Sequence, residues 1–100
     1  MVIYEITAVV QAEVIEAYEK YMRERHIPDL LATGYFRAAY FTRSTENRYR
    51  IQYYAHSQKS LDEYLENVAN HLRADFLAHF PEGIELVREV WKVLESWQID

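Results

Sequence analysis

No cysteine occurs in the chain, which removes disulfides, thiolate nucleophiles and cysteine-based zinc or iron–sulfur centres from consideration. Glycine is scarce: Gly34 and Gly83 are the only two, so no phosphate-cradling glycine loop can be built. Cationic residues are outnumbered, 11 against 16 acidic ones, for a formal net charge of −5. That balance disfavours nonspecific contact with nucleic acid or an anionic membrane, both of which reward clustered Lys and Arg. No apolar run approaches the ~20 residues of a membrane span. The opening "MVIYEITAVVQAEV" lacks a basic stretch followed by an apolar one, so it is not expected to be a signal peptide. The expectation is a cytoplasmic protein with no nucleic-acid partner and no membrane partner.

What the chain has in quantity is aromatic residues: nine Tyr, four Phe and two Trp in 100 residues, half of which are hydrophobic. A chain this short fits one domain, spanning residues 1–100, with a modest core. Some aromatics are therefore expected in an interface or a ligand cavity.

Alternation places Tyr4, Ile6, Ala8 and Val10 on one face of a strand over Val2–Val10. From Ala12 the period changes. Val14, Ile15, Tyr18, Tyr21 and Met22 recur at helical spacing, with Glu13, Glu16, Glu19, Lys20, Arg23 and Glu24 opposite. Pro28 disfavours the helical conformation at Ile27, which predicts that the helix ends or kinks near His26. Asp29 to Gly34 then adds a short turn, with Gly34 as its cap. Tyr35–Arg43 and Arg48–Ala55 read as a hairpin around the polar "STEN". "HSQKS" reads as the next loop. Ser60 and Glu63 have the spacing of a capping box and open a second helix, which "FPEG" at 80–83 stops. A long final strand is predicted over Ile84–Trp97.

The order β-α-β-β-α-β predicts an α+β, ferredoxin-like fold: a four-stranded antiparallel sheet with two helices on one face. Tyr4, Ile6, Ala8, Ile51 and Tyr53 are expected to face the helices. The free face is expected to carry Ile3, Glu5, Thr7, Val9, Arg50, Gln52, Tyr54 and, from the last strand, Leu86, Arg88, Val90 and Lys92. Such a face is too apolar for solvent and too polar for a dry core. It suits a homodimer whose sheets close into an α+β barrel around a partly polar interior, which can hold a small-molecule ligand. Trp91 and Trp97 suit edge contacts in that dimer.

Four stretches resemble a known family: "VIYEITAVV" at the start, "HIPDLLATGYF" at 26–36, "YRIQYYAHS" at 49–57, and "HLRADFLAHF" followed by "LVREV". The family consists of small uncharacterised bacterial proteins known as a domain of unknown function. It belongs to the dimeric α+β barrel superfamily, alongside antibiotic-biosynthesis monooxygenases. The resemblance spans nearly the whole chain, and "HIPxxLATGxF" is its most specific piece. It implies a homodimer of ferredoxin-like chains and carries no established activity. The matched polar positions are Thr7, His26, Gln52 and Arg88. The chain departs at Tyr40, where relatives often carry an arginine. The alternation in "GYFRAAYF" leaves open whether Arg37 or Tyr40 faces the barrel interior.

The expected ligand-contacting set is Glu5, Thr7, His26, Tyr40, Gln52 and Arg88. No catalytic residue is assigned, but His26 is the candidate. One reading makes it a cation favoured by a helix C-terminal end; the other makes it a general base or ligand contact at the barrel rim. Arg88, if inward, needs a partner, and Glu5 is the obvious one. Otherwise its fork is free for a carboxylate or phosphate. His71, Asp75 and His79 share one side of the second helix, but at 1.5 Å per residue they span about 12 Å, too far for one ion. No metal and no cofactor are expected. Two functions follow: a noncatalytic small-molecule-binding or interaction module, or a cofactor-independent enzyme, monooxygenase- or isomerase-like, on a small cyclic metabolite.

Overall fold

The computed structural model describes residues 1–99. Four strands, β1 (Val2–Val10), β2 (Phe36–Thr45), β3 (Arg48–Ala55) and β4 (Ile84–Lys92), form one antiparallel sheet in the order β2-β3-β1-β4. The first crossover is a single continuous helical rod. A 3-10 turn (Ala12–Val14) leads into α1 (Ile15–Tyr21), a π-helical turn (Met22–His26) and α2 (Ile27–Leu31). The second crossover is α3 (Gln58–Asn67) and α4 (Ala69–His79), separated by the non-helical Val68 at φ −126°. The ferredoxin-like architecture is the one the alternation and helical periods predict.

Five local expectations are corrected. The first helix does not stop near His26. Ile27 stays helical at φ −66° and ψ −47°, and its N–H bonds the Met22 carbonyl five residues back. A proline ring clashes with the carbonyl four residues earlier in a regular α-helix. The wider π turn moves that carbonyl aside, so Pro28 is carried within the helix. Ser57, not Ser60, caps α3: its Oγ accepts the Ser60 N–H at 3.1 Å, and "SQKS" becomes the first turn. The hairpin strands run on to Thr45 and Arg48, leaving only Glu46 and Asn47 to turn. β4 stops at Lys92, well short of Trp97. The Val93 N–H still reaches the Met1 carbonyl at 3.0 Å, but among the described residues the β1–β4 pairing ends at Val2 and Lys92. Leu94, Trp97 and Ile99 are consequently almost wholly exposed.

The fifth correction matters most for function. Residues directly opposite in adjacent strands share a face. Ile6 lies opposite Arg88, Ala8 opposite Leu86, Tyr4 opposite Val90 and Val2 opposite Lys92. Leu86, Arg88, Val90 and Lys92 therefore lie on the helix side, and Glu85, Val87, Glu89 and Trp91 lie on the free face. A one-residue difference in phase exchanges every side chain of a strand between faces.

The core between sheet and helices is aromatic. Tyr18, wholly buried, packs at 5.0 Å from Tyr49 and edge-on to Phe76 at 6.3 Å. Tyr53, also wholly buried, stacks on Tyr4 at 6.2 Å. Rings at 5–7 Å in offset or edge-on arrangement contribute about 0.5–1.5 kcal/mol per pair beyond their burial.

Candidate functional site

The expected ligand-contacting residues separate into two groups on opposite sides of the sheet. Glu5, Thr7, Tyr40 and Gln52 lie on the free face. Gln52 is directly opposite both Glu5 and Tyr40 and donates from Nε2 to Glu5 Oε1 at 3.0 Å. The second Glu5 oxygen accepts the Trp91 indole N–H at 3.2 Å, and Arg50 lies 3.5 Å from the first. Glu5, only 9% exposed, is thus satisfied by Gln52, Trp91 and Arg50, and the expected Glu5–Arg88 pair does not form. Tyr40 packs on Tyr54 at 5.4 Å, while Thr7 lies between Arg50 and Val87. Tyr40 therefore lies on this face, with Ala38 and Thr42 of β2 on either side. Arg37 is the extra residue of a bulge, its guanidinium 3.5 Å from Met1 Sδ.

His26 and Arg88 come together on the other side. They line a cavity of about 40 Å³ between sheet and helices. One face of the first helical rod supplies Tyr18, Met22, His26 and Leu30 to it, a strict spacing of four. In a regular α-helix each such step drifts by about 40° around the axis, so Leu30 would stand about 120° from Tyr18. The π turn takes up an extra residue and cancels the drift, bringing all four to one cavity.

Three polar atoms of the lining residues, Tyr18 Oη, Tyr53 Oη and His26 Nδ1, are buried with no hydrogen-bond partner among the described residues. Buried polar groups are almost always paired; Tyr18 and Tyr53 are wholly buried, so their hydroxyls stand behind the wall and not in the open part of the cavity. Burial holds both tyrosine hydroxyls well above their ordinary pKa, so they stay protonated and able to donate. Burial likewise pushes the His26 imidazole from 6.5 down to about 4, opposed by Asp29 and assisted by Arg88. His26 is neutral at pH 7. With the helix continuing past it, no dipole end is present to favour a cation.

Arg73 and Arg88 line the same cavity, and no carboxylate does. Arg73 Nη2 donates to Tyr4 Oη at 2.8 Å. Arg88 is exposed and marks the opening toward β4. Tyr4, Tyr18 and Tyr53 fall at core spacing; tyrosine in place of phenylalanine at such positions is the signal that a hydroxyl lies there. Arg73, a cation within α4, carries no comparable mark in the sequence.

On α4, His71 Nε2 pairs with Asp75 Oδ2 at 3.6 Å, while His79 turns to the Asp75 carbonyl at 2.9 Å and to Arg25. Among the described residues no group of three or more His, Asp or Glu side chains gathers to hold a metal ion. Nor is any helix among them long and apolar enough to cross a membrane.

None of the curated proteins compared with the chain matches it. Solved structures do. A protein assigned as an antibiotic biosynthesis monooxygenase from Deinococcus radiodurans superposes with a TM-score of 0.71 at 16% identity, over 100% of this chain and 99% of that one. A variant of SnoaB, a cofactor-independent oxygenase from Streptomyces nogalater, gives 0.72 at 9% identity over 95% of each chain. A dimeric ferredoxin-like protein from an uncultured marine organism gives 0.74 at 8% identity, over 99% of this chain and 100% of that one. At these identities the likeness establishes the fold. The sequence model described as Domain of unknown function (DUF4286) matches residues 1–94, and the chain belongs to that family.

Proposed function

We propose that the protein is a noncatalytic small-molecule-binding module, cytoplasmic and homodimeric, whose ligand enters the cavity between sheet and helices. The observation that carries this reading is a cavity between sheet and helices whose lining joins His26 to two guanidiniums, Arg73 and Arg88, with no carboxylate among the described residues of that lining. About 40 Å³ is room for on the order of three water molecules, enough for the polar head of a ligand. Binding is favoured over catalysis because burial makes His26, the candidate base of the lining, a weaker base than an ordinary imidazole.

The homodimer reading rests on the free face. Val87, Tyr40 and Trp91 are 61%, 55% and 49% exposed there, around the satisfied Glu5 cluster. Four strands about 4.8 Å apart and about nine residues long present roughly 600 Å² of projected face, near the ~800 Å² each partner gives to a stable complex. A second copy is the occupant argued for, since one structurally similar protein is described as dimeric.

Thermal-shift measurement across a panel of metabolites tests the binding reading. A ligand at a hundred times its Kd stabilises by about 2.7 kcal/mol, which raises Tm by roughly 11–20 °C in a domain of this size. A hit whose shift is lost in Arg88→Gln supports the cavity; hits insensitive to every cavity substitution refute it.

A further inference from the structure

We infer that charge orients the dimer of this chain: Arg48 and Arg50 on β3 of each copy face Glu85 and Glu89 on β4 of the other, about a twofold axis running along the strands. This rests on the reading of the free face as the seat of a second copy and specifies how that copy lies.

Register fixes the pattern. Val9 stands opposite both Arg48 and Glu85, so the three share one row of the free face. Thr7 stands opposite Arg50 and Val87 in the next row, and Glu5 opposite Gln52 and Glu89 in the row after it. The exposed cations of this face therefore lie on β3 and its exposed acids on the edge strand β4, with β1 between them. Two strand spacings, about 10 Å, part the two sets. Arg48, Glu85 and Glu89 have no ion-pair partner among the described residues, and Arg50 meets Glu5 through Nε alone, at 3.5 Å.

This pattern complements itself. In a twofold interface each contact occurs twice with the roles exchanged. An axis along the strands keeps the rows and exchanges the two sides of the sheet. It lays β4 of each copy over the β3 side of the other, so Arg48 meets Glu85 of the partner subunit and Arg50 lies between Glu85 and Glu89 of the partner subunit. Facing sheets stand about 10 Å apart, a gap that an arginine and a glutamate reaching from opposite sides can close. An axis across the strands sets β3 over β3 and β4 over β4 and joins no opposite charges. A foreign acidic partner would use β3 and leave Glu85 and Glu89 unmatched; a second copy matches both. Val87, Tyr40 and Trp91 supply the apolar burial, and the charges select the orientation.

The test is a charge exchange, read by sedimentation equilibrium of the full chain at physiological salt. The samples are wild type, Arg48→Glu, Glu85→Arg, the double variant carrying both, an equimolar mixture of the two single variants, and Glu66→Arg on the helix α3 as a control. Each single variant sets like charges together at both symmetry-related contacts and should weaken the dimer about tenfold or more. The double variant and the mixture restore opposite charges at both contacts and should return to within about threefold of wild type, while Glu66→Arg changes the dimer less than about twofold. High salt should narrow the deficit of the single variants. Circular dichroism confirms that each variant is folded; Arg48 and Glu85 are exposed, so their replacement leaves the core intact. Single variants that dimerise like wild type, or a mixture and double variant that stay as weak as the single ones, overturn the charge pairing while the homodimer stands. A wild type of single-chain mass at every concentration overturns the pairing and the homodimer reading together.

Discussion

Acidification should destabilise this protein through His26 in a way that one substitution abolishes. The imidazole titrates at an ordinary 6.5 in the unfolded chain and at about 4 when folded. Between those values the unfolded state binds the extra proton, so stability is complete above pH 6.5 and falls as pH drops toward 4. A difference of about 2.5 pH units at about 1.36 kcal/mol per unit limits the whole effect to about 3 kcal/mol. About 2 kcal/mol of it is lost between pH 7 and pH 5 by the same linkage relation. His26 is only half-buried, and solvent near Arg88 brings the expected loss to between about 1 and 2 kcal/mol. Urea unfolding of wild type and His26→Gln at both pH values isolates it, since every other titrating group is common to the pair. The wild type should lose that much more than the variant, equivalent to roughly 5–10 °C in Tm. NMR titration of the His26 ring gives the folded pKa directly. A ring titrating near 6.5, or equal acid sensitivity in the two proteins, would refute the placement of His26 in a desolvated cavity wall.

Other perturbations follow from the same structure. Light scattering should give about twice the 12.0 kDa chain mass, and Val87→Arg, charged halfway along the edge strand β4 on the free face, should return it to a single chain. Ser57→Ala should cost about 1 kcal/mol by removing the α3 cap, whereas Ser60→Ala, whose backbone N–H is the donor, should cost less than about half of that; chemical denaturation separates the two. Glu5→Leu removes the acceptor for Gln52 and Trp91 and should destabilise by about 1–3 kcal/mol, read by the same method. A gain in stability would mean the two donors find other partners.

The parts of the fold legible in the sequence are those where one period dominates. β1 alternates cleanly, and both helical stretches carry an apolar stripe, so their faces follow from spacing alone. β4 gives no such lead: Leu86, Val87, Val90 and Trp91 put apolar side chains at both parities, and only pairing with β1 decides which face each takes. That ambiguity is why spacing alone sets Arg88 on the free face beside Glu5. Ser57 and Ser60 each offer a capping hydroxyl, and local chemistry does not rank them. Pro28 reads as a helix breaker because a π turn leaves no separate mark in composition. His26 and Arg88 stand out by residue type, but their meeting depends on strand register and on the phase of the rod, neither of which is local.

That phase also governs how this chain tolerates insertions and deletions. The π turn is a single surplus residue carried inside the helix at Met22–His26. Deleting one residue there would restore regular α geometry and improve local hydrogen bonding while leaving everything downstream in place, because the surplus residue adds almost no net rotation. The same deletion elsewhere in the rod, with the π turn kept, would turn Leu30, almost fully buried, by about 100° from the cavity toward solvent. Drift in length should therefore collect in the β2–β3 turn at Glu46–Asn47, after Lys92 or in the π turn itself, while the rest of the rod keeps its count.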